Sequence, residues 1–338
     1  MTLPRIFVAV TLLLFAGIGT AVFCKKGKAK KSENASVSSA KLAPIEIDLA
    51  ALPNANKKVE VIATAEVAPQ HQEPPAANPT SDLLPDEDRV QLLFQKESPL
   101  PIVKTISYKS RVSWKSGRSA WLVDYASHYK THLHFIARSL NGRPDYNPKA
   151  ASEGERFNVL TSDRPFHFYL VIDISRCKLW LYSVLDDTQE RTLLKTYRCG
   201  LGRINNQKQS GCLTPIGKYS LGNRIAIFQP KMMGNHKGKR VELITVFGTR
   251  WIPFEKEIAG CSEPAKGFGI HGTPWHQGED GKLSDNTASV GRHESDGCIR
   301  LRQPDIEELF AIISTHKTIV EIVPDFLKIK LPGNEKIY

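Results

Sequence analysis

The chain has 338 residues, 41% hydrophobic and 24% charged, with a formal net charge of +11 and a pI near 9.3. That composition excludes a chain disordered throughout and leaves room for one or two domains plus tails. The positive balance suits an acidic partner, yet no nucleic-acid-binding module accompanies it, so no nucleic acid is expected.

Residues 6–23, IFVAVTLLLFAGIGTAVF, carry no charge and at about 1.5 Å per residue reach across most of a bilayer as a helix. The segment is a signal anchor or a signal peptide. Gly19, Thr20 and Ala21 make a poor cleavage site, and Phe23 before Cys24 argues against lipoprotein processing, so an uncleaved membrane anchor over residues 1–31 is expected. Lys25, Lys26, Lys28, Lys30 and Lys31 come after the apolar run while only Arg5 precedes it, which opposes export of the long C-terminal part, although long domains translocate despite flanking charge. Residues 32–105 are rich in Ala, Pro, Asn, Glu and Ser without apolar periodicity and read as a disordered tether, in which one short patch, Asp88–Gln95, is a candidate helical turn without assigned function.

In residues 106–162 the spacing of Tyr125, Tyr129, Leu133 and Ile136 predicts two short helices that part near Lys130. Flanked by Ser113-Trp-Lys-Ser-Gly117 and by EGERFNVL at 153–160, this helix pair resembles a degenerate lysin motif (LysM), a wall-glycan module of one strand, two helices and one strand. The resemblance implies a small α+β subdomain with glycan contact through residues 111–160. A purely structural subdomain is the alternative.

Residues 163–325 read as a mainly β domain. Short apolar and aromatic runs separated by Gly, Asn and Pro predict antiparallel strands at 168–174, 178–182, 193–199, 217–227 and 241–247. Pro304-Asp305 opens a helix with Ile306, Leu309, Phe310 and Ile313 on one face, and 318–323 is a buried strand. The tail, 326–338, looks loose. The six cysteines form no C-x-x-C pair, so no zinc ribbon is indicated; Cys199 and Cys212 flank a turn and are candidates for a disulfide.

The chemistry concentrates in GFGIHGTPWHQGEDGKLSDNTASVGRHESDGCIRLR, residues 267–302, where His271 precedes Cys298 by 298 − 271 = 27 residues. Cysteine nucleophilic catalysis needs a thiolate, a base for its proton and donors for the oxyanion. Cys298 supplies the nucleophile and His271 the base, its other ring nitrogen oriented by a backbone carbonyl, that of Gly272. The Gly297 and Cys298 amides are the expected oxyanion donors, and Ser295 belongs to the same turn. Arg300 favours a thiolate and suits a substrate carboxylate. His271, His276, Glu279, His293 and Cys298 match no zinc motif, so neither a metal nor a cofactor is expected.

I-H-G-T-P followed by V-G and then S-x-G-C-I-R-L resembles the signature of the L,D-transpeptidase catalytic domain, the YkuD family. Tyr169-Leu-Val-Ile-Asp, Lys178-Leu-Trp-Leu-Tyr182, a Gly-x-Gly turn at 200–202 and Thr214-Pro-Ile-Gly217 keep that family's order. The resemblance spans about half the chain and implies a β-sandwich with the catalytic loop at one end. It implies attack by Cys298 on a peptidoglycan stem peptide and a cross-link between third residues, or L,D-carboxypeptidase hydrolysis at the same site. A catalytically inactive wall-binding protein is the alternative from another class. Trp275 and Tyr219 are candidate substrate contacts, and Arg224 and the basic stretch 231–240 candidate groove residues. Two departures stand out: Asp296 occupies the place where the family most often has a second histidine, and residues 276–289 form a polar insertion read as a flexible flap. A carboxylate beside the nucleophile raises the thiol pKa. The expected setting is the bacterial envelope, with the catalytic domain on the wall side of the cytoplasmic membrane.

Overall fold

The computed structural model describes residues 84–338 apart from 143–150, 162, 224 and 280. The expected membrane anchor and most of the tether lie outside these residues, as does Arg224. Among the described residues, no helix is long and apolar enough to cross a membrane.

From residue 84 onward the tether expectation is corrected. A helical turn, α1 (Gln91–Phe94), forms here, and Leu84, Val90, Leu93, Leu100 and Ile102 are buried. These side chains are too widely spaced to show a period, yet each covers part of a sheet core.

Next in the chain is a compact unit: β1 (Val103–Ser107), α2 (Leu122–His128), α3 (Leu133–Asn141) and β2 (Arg156–Leu160). Its two strands pair antiparallel from Val103↔Leu160 to Ser107↔Arg156. The first strand therefore lies earlier than the Ser113–Gly117 segment. The helices part as expected, where Lys130 turns with φ 49°. Asp124 fixes the start of α2 by accepting from the Trp121 N–H at 2.8 Å, and Gly142, at φ 74°, closes α3 in the left-handed cap that glycine adopts without steric cost. Leu122, Tyr125, Ile136, Phe157 and Val159 make a small core of their own. Phe135 turns instead into the core of the larger sheet, and the His132 ring stands edge-on to Phe310 at 5.1 Å, so the unit is seated on the larger domain.

The larger domain comprises β3 (Phe166–Asp173), β4 (Lys178–Leu185), β5 (Glu190–Arg198), β6 (Leu201–Gly202), β7 (Gly217–Leu221), β8 (Ala226–Ile227), β9 (Met233–His236), β10 (Lys239–Glu242), α4 (Ile244–Phe247), β11 (Arg250–Ala259), β12 (Gly269–Gly272), β13 (Trp275–Gln277), β14 (Leu283–Asp285), β15 (His293–Ser295), β16 (Ile299–Leu301), α5 (Gln303–Ile313), β17 (Thr318–Val323) and β18 (Asn334–Glu335). Its main sheet runs β16-β12-β11-β7-β17-β3-β4-β5-β18, with β8 beside β11. Period-2 alternation sends Phe168, Leu170 and Ile172 of β3 to one face, under the Ile306, Leu309 and Phe310 face of α5. Tyr169 and Val171 point to the other, against Trp180, Tyr182 and Phe326. Burial on both faces is why this segment reads as an almost unbroken apolar run.

The sheet is mixed rather than antiparallel: β17 lies parallel to β3, and β16 parallel to β12. Helix α5 carries the chain from β16 at the sheet edge to β17 in its interior. Residues 241–247 are corrected from one strand to the end of a hairpin followed by the single helical turn α4, which Gly248 stops at φ 62°. Within the 276–289 insertion β13 pairs with β14, and Asp285 accepts from the Gln303 N–H at 3.0 Å and also from the Thr273 hydroxyl. The tail is not loose, because Phe326 is buried and β18 adds to the edge of the sheet beside β5. Cys199 and Cys212 are free buried thiols, not a disulfide.

Candidate active site

His271 and Cys298 come together through one strand pair. Strands β12 and β16 run parallel with Ile270 opposite Ile299 and His271 opposite Arg300. Ile270 and Ile299 are buried in the core, so alternation sends His271, Arg300 and the preceding Cys298 to the opposite face. Cys298 immediately precedes β16, two residues before the Arg300 that stands opposite His271.

The turn ahead of the nucleophile is built by buried hydroxyls. Ser295 Oγ donates to the Cys298 carbonyl at 2.6 Å and accepts the Gly297 N–H at 3.0 Å. Thr214 Oγ1, fully buried, accepts the Gly202 N–H at 2.7 Å and donates to the Gly297 carbonyl at 3.0 Å. The Gly-x-Gly and Thr-Pro-x-Gly turns thus brace the turn that carries Cys298, a role for Thr214 that the sequence motif only hinted at by its order. Gly297 has φ 121°, and a Cβ there would lie 2.6 Å from Phe268 Cε1 and 2.8 Å from the Leu213 carbonyl oxygen. Because the Gly297 N–H is spent on Ser295, its expected oxyanion role is corrected, and the Cys298 amide is left as the candidate donor.

His271 is buried, and its Nδ1 lies 2.7 Å from the Gly272 carbonyl oxygen, which directs Nε2 away from that contact. Burial is the main reason its pKa is lowered to about 3; the Arg300 charge adds to the effect, and backbone hydrogen bonds at Gly272 and Phe247 oppose it. Burial likewise pushes the Cys298 thiol up to about 11, with Asp296 adding to the rise while the Gly269 backbone, Arg300 and Lys237 pull it down. The Cys298 Sγ rests 3.7 Å from the Gly267 carbonyl oxygen. At neutral pH the resting pair is therefore a thiol and a neutral imidazole.

These shifts predict how Cys298 reacts with an alkylating agent. Between pH 7 and 10 its labelling, located by peptide mapping, should rise about tenfold per pH unit, because only the thiolate reacts. Asp296→Asn should move the curve to lower pH. A plateau near pH 7 would contradict the assignment.

Arg300 lies on the catalytic face with its Nε buried and without a hydrogen-bond partner. Trp275 is half-buried against Phe228, Phe247 and Trp251, the aromatic wall that Cys298 also touches, so it stays beside the site. Tyr219 does not: it is fully buried, stacks on Phe254 at 5.0 Å and donates to the Glu263 carbonyl at 2.8 Å, which makes it a core residue. Of the histidines weighed as metal ligands, His293 has Nδ1 3.0 Å from the Gly202 carbonyl oxygen. Among the described residues no group of three or more His, Cys, Asp or Glu is arranged to hold a metal ion.

Two cations gain a role that the sequence does not assign. Arg203 was not singled out, and Lys237 belonged only to the basic stretch 231–240. Arg203 Nη2 lies 2.5 Å from Asp296 Oδ1, and Lys237 Nζ lies 2.7 Å from Asp296 Oδ2. The Lys237 hydrogen bond is the chief cause holding the Asp296 carboxyl below its usual range. Lys237 comes from the tip of the β9–β10 hairpin, and the hairpin's His236 ring meets Phe247 edge-on at 5.5 Å.

The family profile described as L,D-transpeptidase catalytic domain (YkuD) matches residues 167–322. A Bacillus licheniformis protein named Putative L,D-transpeptidase YkuD is 30% identical over 187 residues, covering 55% of this chain and 84% of that protein. The chain belongs to the YkuD family of L,D-transpeptidase catalytic domains. A Bacillus subtilis protein of the same name is 29% identical over 121 residues, 36% of this YkuD-family chain and 49% of the relative. The crystal structure of the helical cell shape determining protein Pgp2 from Campylobacter jejuni overlaps with 19% identity, half of each chain and a TM-score of 0.32, too low to carry any inference. The matched strands begin at β3 and end at β17, so the family region contains both His271 and Cys298 and leaves the β1–α2–α3–β2 unit outside it.

Proposed function

We propose that the protein is a peptidoglycan L,D-transpeptidase that works through a Cys298 thioester. The observation that carries this reading is the parallel pairing of β12 with β16, which sets His271 beside the strand that Cys298 leads into, with the His271 Nδ1 held by the Gly272 carbonyl. In the resting pair the proton sits on sulfur, so His271 acts as a general base during attack rather than as half of a preformed ion pair.

Cys298 Sγ attacks the carbonyl carbon of the diamino acid at the third position of a tetrapeptide stem while His271 takes the thiol proton. The tetrahedral oxyanion is met by the Cys298 N–H, with Arg300 as the nearby positive charge. Collapse breaks the C–N bond, and His271 returns the proton to the departing D-alanine amine. An amine from a second stem then attacks the thioester, releasing the thiol and joining third residue to third residue.

Hydrolysis of the same thioester, giving an L,D-carboxypeptidase, is the second reading. It is favoured by the half-exposed Asp296, Arg203 and Lys237 beside the nucleophile, which leave a path for water. Mass-spectrometric product analysis with disaccharide tetrapeptide separates the two. A cross-linked dimer lacking one D-alanine is the expected product; trimmed tripeptide alone means hydrolysis, and neither product means that the domain only binds wall.

The reading places the catalytic domain on the wall side of the bacterial cytoplasmic membrane, anchored through residues 6–23. The β1–α2–α3–β2 unit, seated on the catalytic domain, is offered as a glycan contact. No metal or cofactor is required by this chemistry.

A further inference from the structure

Cys298 is surrounded by an imbalance of charge. Arg203, Lys237 and Arg300 converge near it, while Asp296 is the carboxylate paired with the first two. Among the described residues neither Arg203 nor Lys237 has another acidic partner, so two cations share one negative charge beside the nucleophile. Both pairs are about half exposed, with side-chain exposures of 59% and 49% for the cations, so an incoming anion can reach them.

The backbone is shaped to deliver Lys237 to this spot. His236 pairs with Lys239, leaving a two-residue hairpin turn in which Lys237 has φ 49° and Gly238 φ 75°. Positive φ at both positions is a type I′ turn, where Asn or Asp normally precedes Gly. A lysine in left-handed backbone is strained, and this turn holds its ammonium at the Asp296 carboxylate.

The chemistry of the proposed substrate asks for an anion-binding group here. In a tetrapeptide stem the leaving residue ends in a free carboxylate, whose carbon lies three bonds and roughly 4 Å from the carbonyl that Cys298 attacks. A stem one residue longer carries that carboxylate about 3.8 Å further on.

We propose that Lys237 and Arg203 bind the terminal carboxylate of the leaving D-alanine, and that Asp296 holds the two cations in position until it arrives. The inference rests on the peptidoglycan reading above and deepens it. The pair would select stems with four residues over stems with five, and Asp296 would be the internal stand-in for the substrate's own charge.

Two measurements run in parallel test this on the full chain. Binding is measured by calorimetry on the Cys298→Ala variant, using the free tetrapeptide and the same peptide with its D-alanine carboxyl converted to an amide; turnover of both is measured on the unmodified protein. The amide should bind roughly ten- to a hundredfold more weakly, the loss expected for a charged hydrogen-bonded contact. Lys237→Ala and Arg203→Ala, each confirmed folded by circular dichroism, should weaken binding of the free acid by a similar factor and leave the amide unchanged. Asp296→Asn, which removes the competitor, should tighten binding of the free acid several-fold; a purely structural ion pair predicts the opposite sign.

Equal binding of acid and amide overturns the clamp, and so does failure to bind either peptide. Turnover of both peptides at equal rates sinks the clamp while the transpeptidase reading stands. Discrimination in binding without any turnover leaves the clamp standing and removes the transpeptidase reading.

Discussion

Replacing His271 with alanine lowers kcat for release of D-alanine from a tetrapeptide stem by about 10²–10⁴, with KM little changed. The magnitude is that of a general base acting in the transition state, and the resting thiol at about pKa 11 makes the base indispensable at neutral pH. His271→Gln keeps the ring's approximate volume and its bond toward Gly272 but supplies no base, so it should lose nearly as much. If the glutamine variant retained activity within tenfold, His271 would be a packing residue and the proton would have to leave by another route. Raising the pH to 10 should recover part of the loss in both variants, because hydroxide then supplies the thiolate that the imidazole no longer helps to form.

Gly297→Ala is expected to be strongly damaging to the turn that carries Cys298. At φ 121° the position lies in backbone that L-residues rarely adopt, and the added carbon would be 2.6 Å from the Phe268 ring and 2.8 Å from the Leu213 carbonyl oxygen. The Leu213 oxygen is backbone and cannot rotate away, so the turn itself must shift. Left-handed strain of about 1–2 kcal/mol and overpacking of about 1–3 kcal/mol together predict a stability loss of roughly 2–5 kcal/mol by denaturant unfolding. Activity should fall further than stability, because the Cys298 amide and thiol move with the turn. A variant with unchanged midpoint and unchanged rate would show that the turn is not braced as described.

How much of this was legible in the sequence depends on whether the cause is local. The candidate stretch drew attention because His271, Cys298 and the glycines that let the backbone turn lie within one segment of chain. Strands β3 and β4 were readable because burial on both faces leaves an apolar run, and β17 because its buried residues alternate along the strand. Residues 241–247 misled because Val241, Ile244, Val246 and Phe247 have the composition of a strand, whereas α4 ends at Gly248, where a Cβ would come within 2.7 Å of the Gly272 backbone. That close approach, invisible in sequence, is tertiary. Apart from the helical turn within 88–95, residues 84–102 and 326–338 read as loose for a related reason: their few apolar side chains fill gaps in cores made elsewhere. Tyr219 drew attention as an aromatic in a candidate groove, but nothing local says which face of β7 is buried.

The oxyanion assignment to Gly297 failed because the hydroxyl that takes its N–H belongs to Ser295, and only geometry reveals that bond. The ion pairs of Lys237 and Arg203 were beyond reach altogether, since Lys237 is 59 residues from its partner and contacts across such separations leave no periodic trace. Asp296 was noticed as a departure from the family's usual histidine, and the structure supplies the cations that make the carboxylate tolerable there.

The central claim is that Cys298 carries the acyl group. Intact-protein mass spectrometry after brief exposure to a tetrapeptide stem, and separately to a carbapenem, tests it most directly. The account predicts one covalent adduct per chain, mapped to Cys298, with the peptide adduct lighter than the whole stem by one D-alanine, and no adduct in Cys298→Ala. A folded protein that forms no adduct with either compound, or an adduct that persists in Cys298→Ala, would contradict it.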